Sequence, residues 1–210
     1  MAELQTEDEQ LREVREWWDK NGKKVTTLVI VGLLAFGGAR YWQNTQLKKS
    51  EEASLLYESV MAALEAEDYA AVMDKGGILL SQYRNTPYGD LVAMAMAKVK
   101  HDQGDVSSAQ TYLQWVLDNG KDEAIKEVAR LRLGRLLWSQ DKHDEALALI
   151  ATGASGSFSP MIEELRGDIY AAKGQTEQAR QAYNLALNSQ EYAGDRATLQ
   201  MKLDDLGGAK

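Results

Sequence analysis

Between Val25 and Ala39 the chain runs for fifteen residues without one ionisable side chain. Lys20, Lys23 and Lys24 stand before this run and Arg40 follows it. As a helix it would rise about 22 Å, and counting Arg40, Tyr41 and Trp42 brings it to about 27 Å, against a hydrocarbon core of about 30 Å. Lys24 and Arg40 have stems long enough to lift their charges towards headgroups. Aromatic pairs, Trp17-Trp18 and Tyr41-Trp42, flank the run as interfacial belts do. Gly32, Gly37 and Gly38 weaken a helix in water but are common in spanning helices.

A buried core helix would leave the basic and aromatic flanks without a purpose. A cleavable signal peptide would explain the small residues Gly37-Gly38-Ala39. It does not explain a leading region with five Lys/Arg against seven Asp/Glu, amphipathic through Leu11, Val14, Trp17 and Trp18. The expectation is an uncleaved single-pass anchor in the lipid bilayer. Arg12, Arg15, Lys20, Lys23 and Lys24 precede the span, whereas Arg40, Lys48 and Lys49 follow it. That bias keeps the amino end in the cytoplasm and exports the carboxy-terminal part.

The rest of the chain is polar and helical in pattern. The protein carries a net charge of −8, of which residues 1–24 hold −2 (five basic minus seven acidic), so residues 40–210 hold −6. An acidic body without a basic stripe argues against nucleic acid as a partner. There are no cysteines, which removes disulfides, thiolate metal sites and cysteine nucleophiles. Only two prolines occur, and Ala, Leu, Glu, Gln and Lys abound, so helix is favoured throughout. No segment alternates long enough for a sheet.

Helix pairs recur behind the span. From Gly167 the residues Tyr170, Gly174, Ala179, Tyr183 and Ala186 follow at 3, 7, 12, 16 and 19 positions. From Gly134, 33 residues earlier, Leu137, Ala146 and Ile150 follow at 3, 12 and 16. From Ala97, Gly104, Ala109, Leu113 and Val116 follow at 7, 12, 16 and 19. Small residues let the two helices of a hairpin approach, a large residue four beyond the alanine fills the gap, and the glycine turns the chain. A first copy around Ser54 to Tyr83 is degenerate, with Glu67-Asp68-Tyr69 as its turn. This is tetratricopeptide-like spacing.

The predicted helices run about 43–66, 69–84, 88–103, 105–119, 122–140, 142–151, 160–173, 175–189 and 195–206. Thr86-Pro87 starts the third. Gly153 to Ser159 reads as a loop before Pro160. The last helix caps the stack with Leu199, Leu203 and Leu206 on one side. The absence of Gly and Pro from Tyr41 to Ala66 lets the first helix continue out of the span. The predicted fold is all-α: a transmembrane helix, then a tetratricopeptide-like α-solenoid of about four helix pairs and a capping helix. The segments are 1–24 cytoplasmic and amphipathic, 25–42 anchor, and 43–210 repeats.

No motif calls for catalysis. His101 and His143 lie beside turns without metal-ligand spacing. The pairs Glu163-Glu164 and Asp204-Asp205 point apart on a helix. No phosphate loop, nucleophile elbow or HExxH is present. A non-enzyme without cofactor or metal is expected. Trp115 reads as core. The candidate partner-binding residues line the inner groove expected of such repeats: Lys98, His101, Arg135, Trp138, Glu164 and Asp168, suited to an extended peptide or a partner helix.

Glu16-Trp17-Trp18-Asp19-Lys20-Asn21-Gly22-Lys23 before the span, Arg40-Tyr41-Trp42 after it, Thr86-Pro87-Tyr88-Gly89 and Leu165-Arg166-Gly167-Asp168 together resemble the YfgM family, ancillary subunits of the bacterial SecYEG translocon. The likeness covers nearly the full chain. It implies an inner-membrane protein with a cytoplasmic amino end and periplasmic repeats. The implied partners are the SecYEG translocon, a membrane-anchored periplasmic chaperone of the prolyl-isomerase type, and exported polypeptides to be passed to chaperones. It also implies a link between the amino-terminal segment and a cytoplasmic stress-response regulator, which makes a regulatory tether the alternative function. An enzyme on a helical scaffold is the remaining class. No family catalytic residue carries over.

Overall fold

The computed structural model describes residues 7–152 and 158–208, and all regular elements among them are helical. They are α1 (Glu7–Glu65), α2 (Tyr69–Gln82), α3 (Pro87–Asp102), α4 (Val106–Asn119), α5 (Glu123–Trp138), α6 (His143–Ala151), α7 (Ser159–Ala172), α8 (Thr176–Asn188) and α9 (Arg196–Gly208). The chain divides into two compact units, Met1–Lys49 and Ser50–Lys210. The expected loop at Gly153 to Ser159 lies mostly outside the described residues, and α7 starts at Ser159 with Pro160 in its first turn.

In the first unit α1 carries the apolar run, long and apolar enough to cross a membrane. Every residue from Thr26 to Asn44 is exposed, Leu33, Leu34 and Phe36 among them. A core helix would hide one side; this one hides none. The hydroxyls of Thr26 and Thr27 donate to the carbonyls of Gly22 and Lys23, each at 2.8 Å. Such bonds leave no free donor on those side chains, as an apolar solvent demands.

The second unit is four helix pairs and a cap. The pairs are the carboxy-terminal part of α1 with α2, then α3/α4, α5/α6 and α7/α8, with α9 last. Each pair turns on a residue with positive φ: Glu67, Gly104, Asp141 and Gly174. The next residue's N–H reaches back five residues in every case, as Asp68 to Ala63 (2.9 Å), Asp105 to Lys100 (2.8 Å), Lys142 to Leu137 (3.0 Å) and Gln175 to Tyr170 (2.8 Å). Four copies of one Schellman turn therefore set the register of the solenoid.

Counting from that turn residue explains the spacing. Seven positions before it stand Ala97, Gly134 and Gly167, and nine after it stand Leu113, Ile150 and Tyr183. A Cβ on Gly134 would lie 2.9 Å from Ile150, and one on Gly167 would lie 2.3 Å from the Tyr183 ring. The large residue of each second helix fills the space its small partner leaves. The first repeat has Val60 and Gly76 in these places. Large and small have exchanged helices there, which is why that copy reads as degenerate. Both residues are nonetheless buried.

The core is a row of four apolar clusters strung along the repeats, linked by residues such as Tyr112, Leu137 and Met161 that touch two of them. Nearest-neighbour burial of this kind is what holds a solenoid together. Between the second and third pairs, buried Asp90 in the first turn of α3 accepts a hydrogen bond from the Lys121 N–H at 3.0 Å. That bond fastens the linker to the preceding repeat.

Two turns are built with the wrong residues for their geometry. Asp68 and Asp105 cap α2 and α4 by accepting from the N–H groups of Ala71 and Ser108. Lys142 and Gln175 occupy the same backbone conformation and cap nothing. Lys142→Asp is expected to stabilise the protein by about 1 kcal/mol. Asp141→Gly, which relieves a left-handed backbone at a β-carbon, should add a similar amount. Urea unfolding of both variants checks this; no gain from either would mean the turn is not under local strain.

Candidate functional site

The first helices of successive pairs present one face to a shared cleft. Tyr57, Met61 and Leu64 lie one turn apart on α1; Leu91, Met94 and Lys98 do the same on α3, and Ile125, Val128 and Arg132 on α5. Together they enclose a cavity of about 390 Å³ with an almost wholly apolar floor. A second cavity of about 340 Å³ adjoins it, and Lys98 and Arg132 border both. His101, Arg135 and Leu136 line the second. Among the described residues, no carboxylate lines either cavity.

Lys98 forms an i,i+4 ion pair with Asp102, and the Nδ1 of His101 lies 3.6 Å from the same carboxylate. The hydrogen bond to Asp102 raises the Lys98 ammonium above its ordinary value, against the opposing pull of burial and of the nearby Arg132 charge. Asp102 is lowered in turn, chiefly by the Lys98 hydrogen bond. Arg132 and Arg135 are exposed and take part in none of the ion pairs among the described residues.

The sequence candidates thus fall into three places. Lys98, His101 and Arg135 meet in the second cavity. Trp138 lies half-buried against the cluster of Leu131, Ile150 and Leu165 and borders neither cavity. Glu164 and Asp168 are engaged inside the molecule. Lys202 of α9 reaches Glu164 at 2.9 Å and Asp168 at 2.8 Å. The Tyr183 hydroxyl donates to Asp168 and the Tyr192 hydroxyl to Glu164, both at 2.8 Å. All four carboxylate oxygens have partners, so the α7 end of the helix row is closed by the capping helix.

Tyr57, Met61, Leu64, Met94 and Arg132 were not among the sequence candidates. The register would have found the first four. Met61 stands six positions before its turn residue, as do Lys98, Arg135 and Asp168. Tyr57 and Met94 share the place of Glu164, and Leu64 shares that of His101 and Trp138. The exchange of large and small residues at Val60 and Gly76 concealed the correspondence for Tyr57, Met61 and Leu64, whereas Met94 lies in a regular repeat. Arg132 has no such counterpart and became visible only through the fold.

A row of hairpins with a shared inner cleft, preceded by an exposed apolar helix, defines a helical-repeat protein of tetratricopeptide type. The family model described as a tetratricopeptide repeat-like domain matches residues 15–208. A protein of Neisseria gonorrhoeae named ancillary SecYEG translocon subunit is 31% identical over 98% of this chain and 100% of its own length. Proteins of the same name from Escherichia coli and Haemophilus influenzae are 28% and 26% identical, each over 98% of this chain and 99% and 100% of theirs. The chain belongs to this tetratricopeptide repeat-like family of ancillary SecYEG translocon subunits. No solved structure matches it.

Proposed function

We propose that the protein is a membrane-anchored, non-enzymatic subunit of the Sec translocon that helps pass exported polypeptides to periplasmic chaperones. Full-length similarity to relatives named for that translocon is the observation that carries the reading. The exposed apolar stretch of α1 supports a single-pass anchor over residues 25–42, and the excess of Lys and Arg before it supports a cytoplasmic 1–24 and a periplasmic 43–210. Anchoring holds the repeat cleft beside the channel exit, where the local concentration of emerging chains is high. Lys98, His101, Arg135, Trp138, Glu164 and Asp168 are proposed to serve the repeats' binding task. The first three do so at the open cleft, Trp138 by packing against the neighbouring cluster of Leu131, Ile150 and Leu165, and the two acids by holding the cap. A membrane-anchored chaperone of the prolyl-isomerase type fits as the receiving partner.

Crosslinking in intact cells followed by mild-detergent extraction should recover translocon subunits with the protein. Protease added to spheroplasts should digest residues beyond 43 and spare the amino-terminal segment. Recovery of the unprocessed protein from the soluble fraction, or protection of its repeats, would overturn the reading.

A further inference from the structure

We propose that the cleft between α1, α3 and α5 docks an acidic amphipathic helix of a partner protein, its apolar face on Met61, Met94 and Val128 and its carboxylates on Arg132 and Arg135. This deepens the translocon-subunit reading and rests on it only for where such a partner is met. The argument is charge complementarity. The protein is acidic overall, at −8, yet its apolar cleft is bordered by Lys98, Arg132, Arg135 and His101 and by no carboxylate.

Among the described residues, two of the cations have no ion-pair partner. Lys98 is held by Asp102, but Arg132 and Arg135, three residues apart on α5, extend from an ordered helix without one. Three and four residues is also the spacing of neighbours along one helical face. Carboxylates at that spacing on a bound helix could each meet a guanidinium, which grips a carboxylate with two parallel hydrogen bonds.

The apolar lining has matching form. The stripes on α1 (Tyr57, Met61, Leu64) and α5 (Ala124, Ile125, Val128) stand on either side of α3. A third helix can lie between two such ridges. Methionine in the floor adapts to side chains of differing shape. The row ends where Lys202 and the Tyr183 and Tyr192 hydroxyls occupy all four oxygens of Glu164 and Asp168, so the acids of α7 are engaged within the molecule.

The test uses the full-length protein in lipid nanodiscs and fluorescent synthetic peptides of about fourteen residues, about four helical turns. One peptide has leucine along one face bordered by glutamate. A second has every glutamate replaced by lysine, and a third keeps the first composition in scrambled order. The acidic amphipathic peptide should bind about tenfold or more tightly than either control, with affinity falling as salt rises.

Arg132→Glu with Arg135→Glu should reverse the preference between the acidic and basic peptides. Met61→Ala should weaken binding of the acidic peptide without changing the sign of that preference. Helical circular dichroism and urea midpoints establish that the variants remain folded, as expected for two exposed arginines. Equal affinity for acidic and basic peptides, indifference to the double substitution, or loss of self-association on that substitution (a second copy as the occupant) would each overturn the proposal. Translocon recovery is scored separately. A charge-blind cleft with intact recovery refutes this inference alone, and the converse result refutes the translocon reading alone.

Discussion

Gly167→Ala should cost about 2 kcal/mol of stability, although alanine is the better helix former. The added Cβ would stand 2.3 Å from two carbons of the Tyr183 ring. That ring is buried, and its hydroxyl is tied to Asp168 at 2.8 Å, so it has no free direction in which to swing. Overpacking of a fixed core typically costs 1–3 kcal/mol and sometimes more, roughly, while the helix-propensity gain returns about 1 kcal/mol. The clash should win.

Two other glycines calibrate the argument. A Cβ on Gly134 would come 2.9 Å from Cγ2 of Ile150 and 3.0 Å from a Leu165 methyl, so a side chain must shift, though by less than the Tyr183 ring would have to. A Cβ on Gly76 would meet chiefly the flexible thioether of Met96. The loss should therefore fall in the order Gly167, Gly134, Gly76, with the last near zero. Tyr183→Leu should remove most of the Gly167→Ala penalty, a non-additivity that a double-mutant cycle reads directly. Equal losses at all three positions would show that helix spacing is not set by these contacts.

Helix boundaries were legible because the turns are punctuated locally. Gly104 and Gly174 are glycines in the left-handed region, and Thr86-Pro87 starts α3 with proline at its first position, so residue identity and conformation agree. The turn at Asp141 was legible from the predicted helices on either side of it, 122–140 and 142–151, although nothing in its identity demands positive φ. The first repeat was only half legible, because a pattern that looks for a small residue on the first helix misses Val60 paired in register with Gly76.

The site was legible as a face but not as a surface. Counting positions on the first helices found Lys98, His101 and Arg135, whose exposure depends on their own hairpins. It could not find what covers Glu164 and Asp168, because Lys202 lies 38 and 34 residues further along and arrives by tertiary packing of α9. Trp138 illustrates the same limit. Its place in the repeat matches that of His101, but neighbouring Leu131, Ile150 and Leu165 form an apolar pocket that draws the indole inward. The proposed division of labour follows. The cleft over α1, α3 and α5 is open for recognition, and the α7 end is given to closing the stack.

That closure should fail at alkaline pH. Tyr183 and Tyr192 are raised well above the ordinary phenol value of 10.0, first by burial and then by donating to Asp168 and Glu164. Burial alone would lower Lys202, but its bonds to the same two carboxylates outweigh it and raise the ammonium above 10.5. All three groups hold their protons longer when folded than when unfolded. The native state therefore binds more protons than the unfolded state above about pH 10, and stability must fall as pH rises. Their contribution is fully present below that value and is lost as pH climbs towards the folded values. Tyr183→Phe with Tyr192→Phe should flatten the decline between about pH 9 and 11, while lowering neutral stability by about 1 kcal/mol for each hydroxyl bond removed. Urea midpoints across that range, with tyrosinate absorbance as an independent probe, measure both effects. If the double variant loses stability as steeply as the parent, the α9 clasp is not the source of the alkaline transition. If it does not, the capping helix is held by protons that the unfolded chain would surrender first.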